Sequence, residues 1–472
     1  MREKNNLTEG PILQSLLTIS LPIIFANFLH TAYQLTDTFW VGRLGTAAIA
    51  AVSISFPVIF LIVAMGGGLS IAGTILVAQY KGKNDKRAVD HVTAQTLLTV
   101  FTVSAALACI GFFLSPHVIR LLGAEKEVFA SAVSYMKISF AGIIFMFTFM
   151  VFQSLMRGVG DVKTPMYIIL GTVLLNLIVD PLFIMGYGFV PAMGVSGAAL
   201  ATIVSQGIAA VIGMYLMLRK KRQIHLHLRD MKPDFPLIKK MLALGMPSSV
   251  EHSTVALGMN FIIFLVTGFG TTVLAAYGIG HRIFGFVIIP TLGLSMATSA
   301  LVGQNIGAGK IERAERIVRM AVSVGFVTLT LIGVLMFLFA EQLSAIFIPG
   351  EFETIRMSAQ FLRIMALTFG FIGIHHVLNG AFIGSGNTFT SMALSIISLW
   401  LLRFPLSYFL SRHTGLREMG IWIAFPATNV LTALITAIWF SRGTWKKRKI
   451  TEEIKLVAET TEEALIEEGL NP

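Results

Sequence analysis

Of the 25 Asp and Glu residues in the chain, only Asp37, Asp180 and Glu251 fall well inside long apolar runs. A carboxylate at the centre of a membrane helix costs about 2.5–3.5 kcal/mol on insertion scales, so such residues are kept for function or are neutralised by a proton, a cation or a base. Asn176 stands four residues before Asp180 in LLNLIVDPLF, a spacing that puts both side chains on one helix face. Pro181 removes a backbone donor beside them and leaves carbonyls available. Thr202, in GAALATIVS, adds a hydroxyl from a neighbouring run. Oxygen ligands of this kind hold Na⁺, and two nearby carboxylates alternatively share a proton; both chemistries fit. Glu251 is followed by His252 and reads equally as part of a local polar network. Pro22, fifteen residues before Asp37, is placed to kink its helix, and a kink that depends on the charge of Asp37 would couple cation to shape.

The elements that hold these residues are long and apolar. Residues of the AVILMFWYC set make up 55% of the 472, and only 13% are charged, against about 25% in soluble domains. That balance excludes an ordinary cytosolic enzyme, a disordered chain and a coiled coil. Apolar runs bounded by charge, Gly or Pro predict twelve spans, roughly 12–40, 48–79, 89–114, 129–156, 164–186, 196–219, 237–266, 272–303, 315–339, 355–381, 387–411 and 416–440. Each is long enough to cross a hydrocarbon core of about 30 Å as a helix. The expected fold class is all-α integral membrane. Bases inside the spans are few, mainly Lys137, Arg282, Arg363 and Arg403 near their ends.

Basic residues gather in alternate loops: Lys81 to Arg87, Arg219 to Lys240, Lys310 to Arg319 and Arg442 to Lys449. Residues 187–195 and 267–272, on the other side, carry no charge. The positive-inside rule then puts both termini in the cytoplasm of a multi-pass plasma-membrane protein. The net charge of +11 reflects those loops rather than a nucleic-acid surface. A single Cys, Cys109, makes neither an intramolecular disulfide nor a Cys-based metal site. His375 and His376 are adjacent and face different directions on a helix, so no metal beyond a possible Na⁺ at Asp37, Asn176 and Asp180 is expected. No GxxxxGK[ST] loop is present to bind ATP, and no cofactor is expected. The polar N-terminal stretch shows no cleavage pattern, so no removable leader is expected.

The halves resemble each other at an offset near 225 residues. Pro22 in LTISLP matches Pro247 in LALGMP, and VAQYKGKNDKRA (77–88) matches VGQNIGAGKIERA (302–314) with one insertion. RGVGDVKTPM (157–166) then aligns with IGSGNTFTSM (383–392), and Gly194, Ala201 and Thr202 with Gly420, Ala427 and Thr428. Six spans per repeat give both repeats one orientation. This implies two six-helix lobes, 1–218 and 237–441, related by a pseudo-two-fold axis along the membrane normal with a cleft between them. Residues 219–236 form a basic linker, and 442–472 form an acidic, amphipathic cytoplasmic tail.

QLTDTFWVGRLG (34–45), NLIVDPLF (176–183), RGVGDVKTP (157–165) and GVSGAALAT (194–202) together resemble the multidrug and toxic-compound extrusion (MATE) family over all twelve spans. The resemblance implies an alternating-access antiporter, with no enzymatic activity, that exports drugs and organic cations from a lipid bilayer against inward H⁺ or Na⁺. It also implies a first-lobe cation site of Asp37, Asn176, Asp180 and Thr202, with Gln153 on span 4 as a further candidate. One family branch uses acids on spans 7 and 10 instead. Span 10 here has only His375, His376 and Asn379 in its interior, and Glu251 is the one acid on span 7, so the first-lobe site is favoured. The cleft should be broad and apolar, its 22 Met and 36 Phe able to repack around varied ligands. The protein is expected to act as a monomer. Two rivals are weaker. A lipid-linked oligosaccharide flippase of the same superfamily would want a cationic cavity, and an intramembrane aspartyl protease would want the GxGD signature that is absent.

Overall fold

The computed structural model describes residues 7–188, 190–219, 223–446 and 450. The predicted apolar runs are helices throughout, and among the described residues β structure amounts to one isolated bridge, Tyr187 to Val190. The first six helices are α1 (Ile12–Gly42), α2 (Thr46–Gly82), α3 (Lys86–Leu121), α4 (Lys126–Gly158), α5 (Lys163–Met185) and α6 (Val195–Leu218). After the linker come α7 (Phe235–Thr267), α8 (Thr271–Gly307), α9 (Ile311–Leu338) and the short α10 (Ala340–Phe347). The chain continues with α11 (Phe352–Ala366), α12 (Phe369–Gly384), α13 (Thr388–Ile396), a π turn (Ile397–Arg403), α14 (Phe404–Arg412) and α15 (Glu418–Ser441). Eleven helices are long and apolar enough to cross a membrane, or twelve when the bent pair α11 and α12 counts as one. Each predicted span thus has its helix. Large apolar side chains such as Phe113 (70% exposed) and Phe264 (75%) face outward, as side chains bathed in lipid would.

Two spans are irregular for identifiable reasons. The tenth bends by 55° between α11 and α12. There the N–H and hydroxyl of Thr368 both donate to the Met365 carbonyl, at 3.1 and 3.2 Å, a tight local turn that competes with the helical ladder. In the eleventh, α13, the π turn and α14 run on as one 25-residue span. Pro405 has no N–H for the Leu401 carbonyl and its ring crowds that turn, and the wider π turn just before it absorbs the mismatch.

The chain divides into two compact units, residues 25–249 and residues 1–24 with 250–472. The divisions fall inside α1 and α7, each two residues beyond a helix proline, Pro22 and Pro247. Within the first unit the start of α7 lies against α2. A Cβ on Gly68 would meet the Gly245 carbonyl at 2.2 Å, and the Ser249 hydroxyl donates to the Met65 carbonyl at 2.6 Å. Within the second unit the start of α1 lies against α8, where a Cβ on Gly293 would meet the Ile24 side chain at 2.4 Å. Gly68 and Gly293 are 225 apart, as are Ile24 and Ser249, so the same close approach is made twice. The turns before α2 and α8 repeat as well, through Gly45 (φ 100°) and Gly270 (φ 101°), a backbone that only glycine adopts freely.

The linker is held to the start of α3. Arg87 grips the Asp230 carboxylate with two hydrogen bonds, 2.8 and 3.1 Å, and His91 meets Asp234 at 2.9 Å. Gln95 donates to the Asp230 and Lys232 carbonyls and accepts from the Asp234 N–H. The core of the second unit is an aromatic stack of Tyr277, Phe361, Trp422 and Phe425, all buried. The predicted acidic tail beyond residue 450 lies outside the described residues, as do linker residues 220–222.

Candidate functional site

Four helices of the unit formed by residues 25–249 bring the site together. On α5, Asn176 and Asp180 share a face, as their spacing requires, and both are fully buried; Asn176 Nδ2 donates to Asp180 Oδ1 at 2.7 Å. On α1, Tyr33 and Asp37 stand one turn apart. Asp37 is close enough to Asp180 for their charges to act on each other, and Tyr33 and, from α4, Tyr135 lie within the field of both. Thr202, on α6, lies beside the Tyr33 hydroxyl. That contact falls short of full hydrogen-bond geometry, and the Tyr33 hydroxyl is left buried without a partner.

Three further oxygens of the group are buried and unpartnered: Asp37 Oδ1, Asp180 Oδ2 and Asn176 Oδ1. Each such atom costs about 1–3 kcal/mol, and more where it carries charge. No Lys, Arg or His within ion-pair distance compensates either carboxylate among the described residues. Unspent lone pairs on two neighbouring acids without a base are of the kind that a proton on one carboxylate, or Na⁺ with the oxygens as ligands, satisfies.

The other predicted residues fall differently. Gln153 is half-buried on α4, and no hydrogen bond joins it to this group. Glu251 belongs to the other unit and is saturated: Asn379 and Ser395 donate to Oε1 at 2.9 and 2.7 Å, and Ser391 donates to Oε2 at 2.6 Å. His252, its expected companion, is exposed instead. Pro22 sits inside an unbroken α1. Tyr33 and Tyr135 are members the sequence reading missed. The four-residue spacing from Tyr33 to Asp37 was the available sign.

Residues 22–182 and again residues 247–409 match the model of the MatE family. The chain belongs to the MatE family. Both matches begin at the helix prolines, Pro22 and Pro247, and together they span most of the chain. This MatE chain is 29% identical over 448 residues to the probable multidrug resistance protein YoeA of Bacillus subtilis strain 168, covering 94% of this chain and 96% of that one. It is 28% identical over 442 residues to the probable multidrug resistance protein NorM of Thermotoga maritima, covering 93% and 94%. Its fold superposes on a solved outward-facing multidrug resistance MATE family transporter of the MOP superfamily with a TM-score of 0.88, at 25% identity over 95% of this chain and 100% of that one. The chain is therefore a multi-pass membrane transporter of a multidrug efflux family and not an enzyme.

Proposed function

We propose that this MatE transporter is a secondary active antiporter that exports amphipathic organic compounds, organic cations among them, in exchange for inward H⁺ or Na⁺. The coupling cation binds at Asp37, Asn176 and Asp180, with Thr202 and Tyr33 bounding the site and Gln153 at its margin. The observation that carries this reading is the pair of neighbouring acids, without a base, on four unpartnered buried oxygens. Cation occupancy removes the repulsion between the carboxylates and draws α1 toward α5; cation release reverses it, and Pro22 gives α1 the place to bend. Alternating access follows when cargo and cation favour opposite conformations. On this reading both termini are cytoplasmic and the protein acts in the plasma membrane, the inner membrane in a cell that has two; the basic loops support it. The saturated Glu251 is a structural acid on this reading.

Purified protein in proteoliposomes, given an imposed pH or Na⁺ gradient, should drive ethidium efflux under one of the two. Asp37→Asn and Asp180→Asn should each abolish gradient-driven efflux while eluting as folded protein. Full efflux in both variants overturns the site.

A further inference from the structure

The second unit holds a part-buried cation inside a span, with no counter-charge among the described residues. Arg403 ends the π turn, well inside the span Thr388–Arg412. Its Nε–H donates to Thr428 Oγ1 at 3.2 Å and its Nη2 to Asn429 Oδ1 at 2.6 Å, and its guanidinium stands 4.7 Å from the centre of the Phe425 ring. Both acceptors are neutral, and no carboxylate lies within ion-pair distance among the described residues. Glu251, on α7, is engaged elsewhere: its donors Ser391 and Ser395 lie at least two helical turns back along the span. A guanidinium carries five N–H donors in a planar fork. Two are used, both along the Nε–Nη2 edge, which leaves three on the Nη1–Nη2 side without a protein acceptor. Arg403 as a whole is only partly covered. His281, within its electrostatic reach, has a buried Nδ1 with no partner.

The thermodynamics of such a group are unfavourable unless something fills it. An Arg deep in a membrane protein is retained where it meets a carboxylate, a phosphate or a substrate. The free fork matches the two oxygens of a carboxylate or phosphate. The duplication sharpens the contrast: Thr428 is the counterpart of Thr202, so the helix pair that carries the acid Asp180 in the first repeat carries a base in the second. Leu177 occupies the place equivalent to Arg403.

We propose that Arg403, held by Thr428 and Asn429 and flanked by His281, binds the carboxylate or phosphate of a transported organic anion or zwitterion. This rests on the efflux reading above and adds anionic compounds to the cargo. Asn429 and Thr428 orient the fork, and Phe425 holds the guanidinium plane from below.

The test is fluorescence polarisation of 5-carboxyfluorescein on the full-length protein in detergent, with rhodamine 123 as a dye of related ring system and opposite charge. Asn429→Asp keeps Arg403 and places a carboxylate beside it, turning the free cation into an ion pair. Arg403→Gln removes the charge, and Arg403→Lys keeps charge without the fork. Wild type should bind carboxyfluorescein saturably. Asn429→Asp and Arg403→Gln should weaken it at least tenfold, Arg403→Lys should fall between, and rhodamine 123 should show no such order. Displacement by inorganic phosphate would assign the affinity to the oxyanion alone, and failure to displace would assign it to the whole organic anion; both uphold an anion site. Absence of saturable wild-type binding, or wild-type affinity in a monodisperse Asn429→Asp protein, overturns the proposal. Failure of ethidium efflux by the wild type would instead remove the transport reading and leave this binding result standing.

Discussion

At the scale of single residues, the account depends on hydrogen bonds that are missing. Among the described residues Asn176 supplies the only donor that reaches Asp180, and its own carbonyl oxygen, one Asp180 oxygen and one Asp37 oxygen stay open. Asn176→Ala would leave both Asp180 oxygens bare, at about 1–3 kcal/mol, and would take away a ligand. Ethidium efflux should slow about tenfold or more in that variant, with a modestly lowered melting temperature but still eluting as folded protein; unchanged efflux would remove Asn176 from the site. Asp37, Asn176 and Asp180 were legible because polar groups in apolar runs stand out against their surroundings. Tyr33 and Tyr135 were not, since an aromatic ring in such a run reads as packing and only the fold brings it within the field of the acids. Arg403 stood out in the same way as the acids, yet it read as lying near the end of its span. The structural span, Thr388–Arg412, nearly coincides with the predicted run 387–411 and holds Arg403 well inside, at the end of a π turn two residues before Pro405.

At the scale of elements, two prolines and two glycines recur at matched positions. Pro22 cannot donate to the Thr18 carbonyl, so α1 has a weak point just before the division between the compact units. Pro22→Ala restores that bond. Spin labels on either side of it in α1 should then report a narrower distance distribution, and coupled efflux should fall; distances and efflux identical to wild type would refute a gating bend. Gly293 lets α1 approach α8 so closely that any Cβ meets Ile24. Gly293→Val should therefore lower the melting temperature, at a cost of about 1–3 kcal/mol for overpacking, and a melting curve like that of the wild type would show that the helices separate without penalty. The spans themselves were legible in full, because twenty apolar residues in a row have few alternatives to a membrane helix. The 55° break in span 10 was not. It is made by a threonine bonding back to Met365, and Ala-Leu-Thr carries none of the Pro or Gly punctuation that marks a break.

At the scale of the whole molecule, the duplication was legible in loops, where QYKGKND and QNIGAGK or RGVGDVK and IGSGNTF keep a near-constant offset. The family match repeats it, beginning at residues 22 and 247. The compact units differ from the sequence halves by exchanging the chain up to residue 24 and the segment 219–249. That exchange rests on glycine contacts between helices distant in sequence, which hydropathy does not register. The repeats have diverged in charge: among the described residues Asp37 and Asp180 of one unit have no base within ion-pair distance, and Arg403 of the other has no acid. The proposed antiport would couple cation binding in the unit of residues 25–249 to cargo movement, and such coupling is reciprocal. The most direct measurement of that claim reverses the usual experiment. An outward ethidium gradient imposed on proteoliposomes, with no ion gradient present, should draw cations inward, recorded as internal pyranine fluorescence for H⁺ or ²²Na⁺ uptake for Na⁺. The account predicts such a flux in wild type and none in Asp37→Asn or Asp180→Asn; a cation flux of wild-type size in either variant would contradict it.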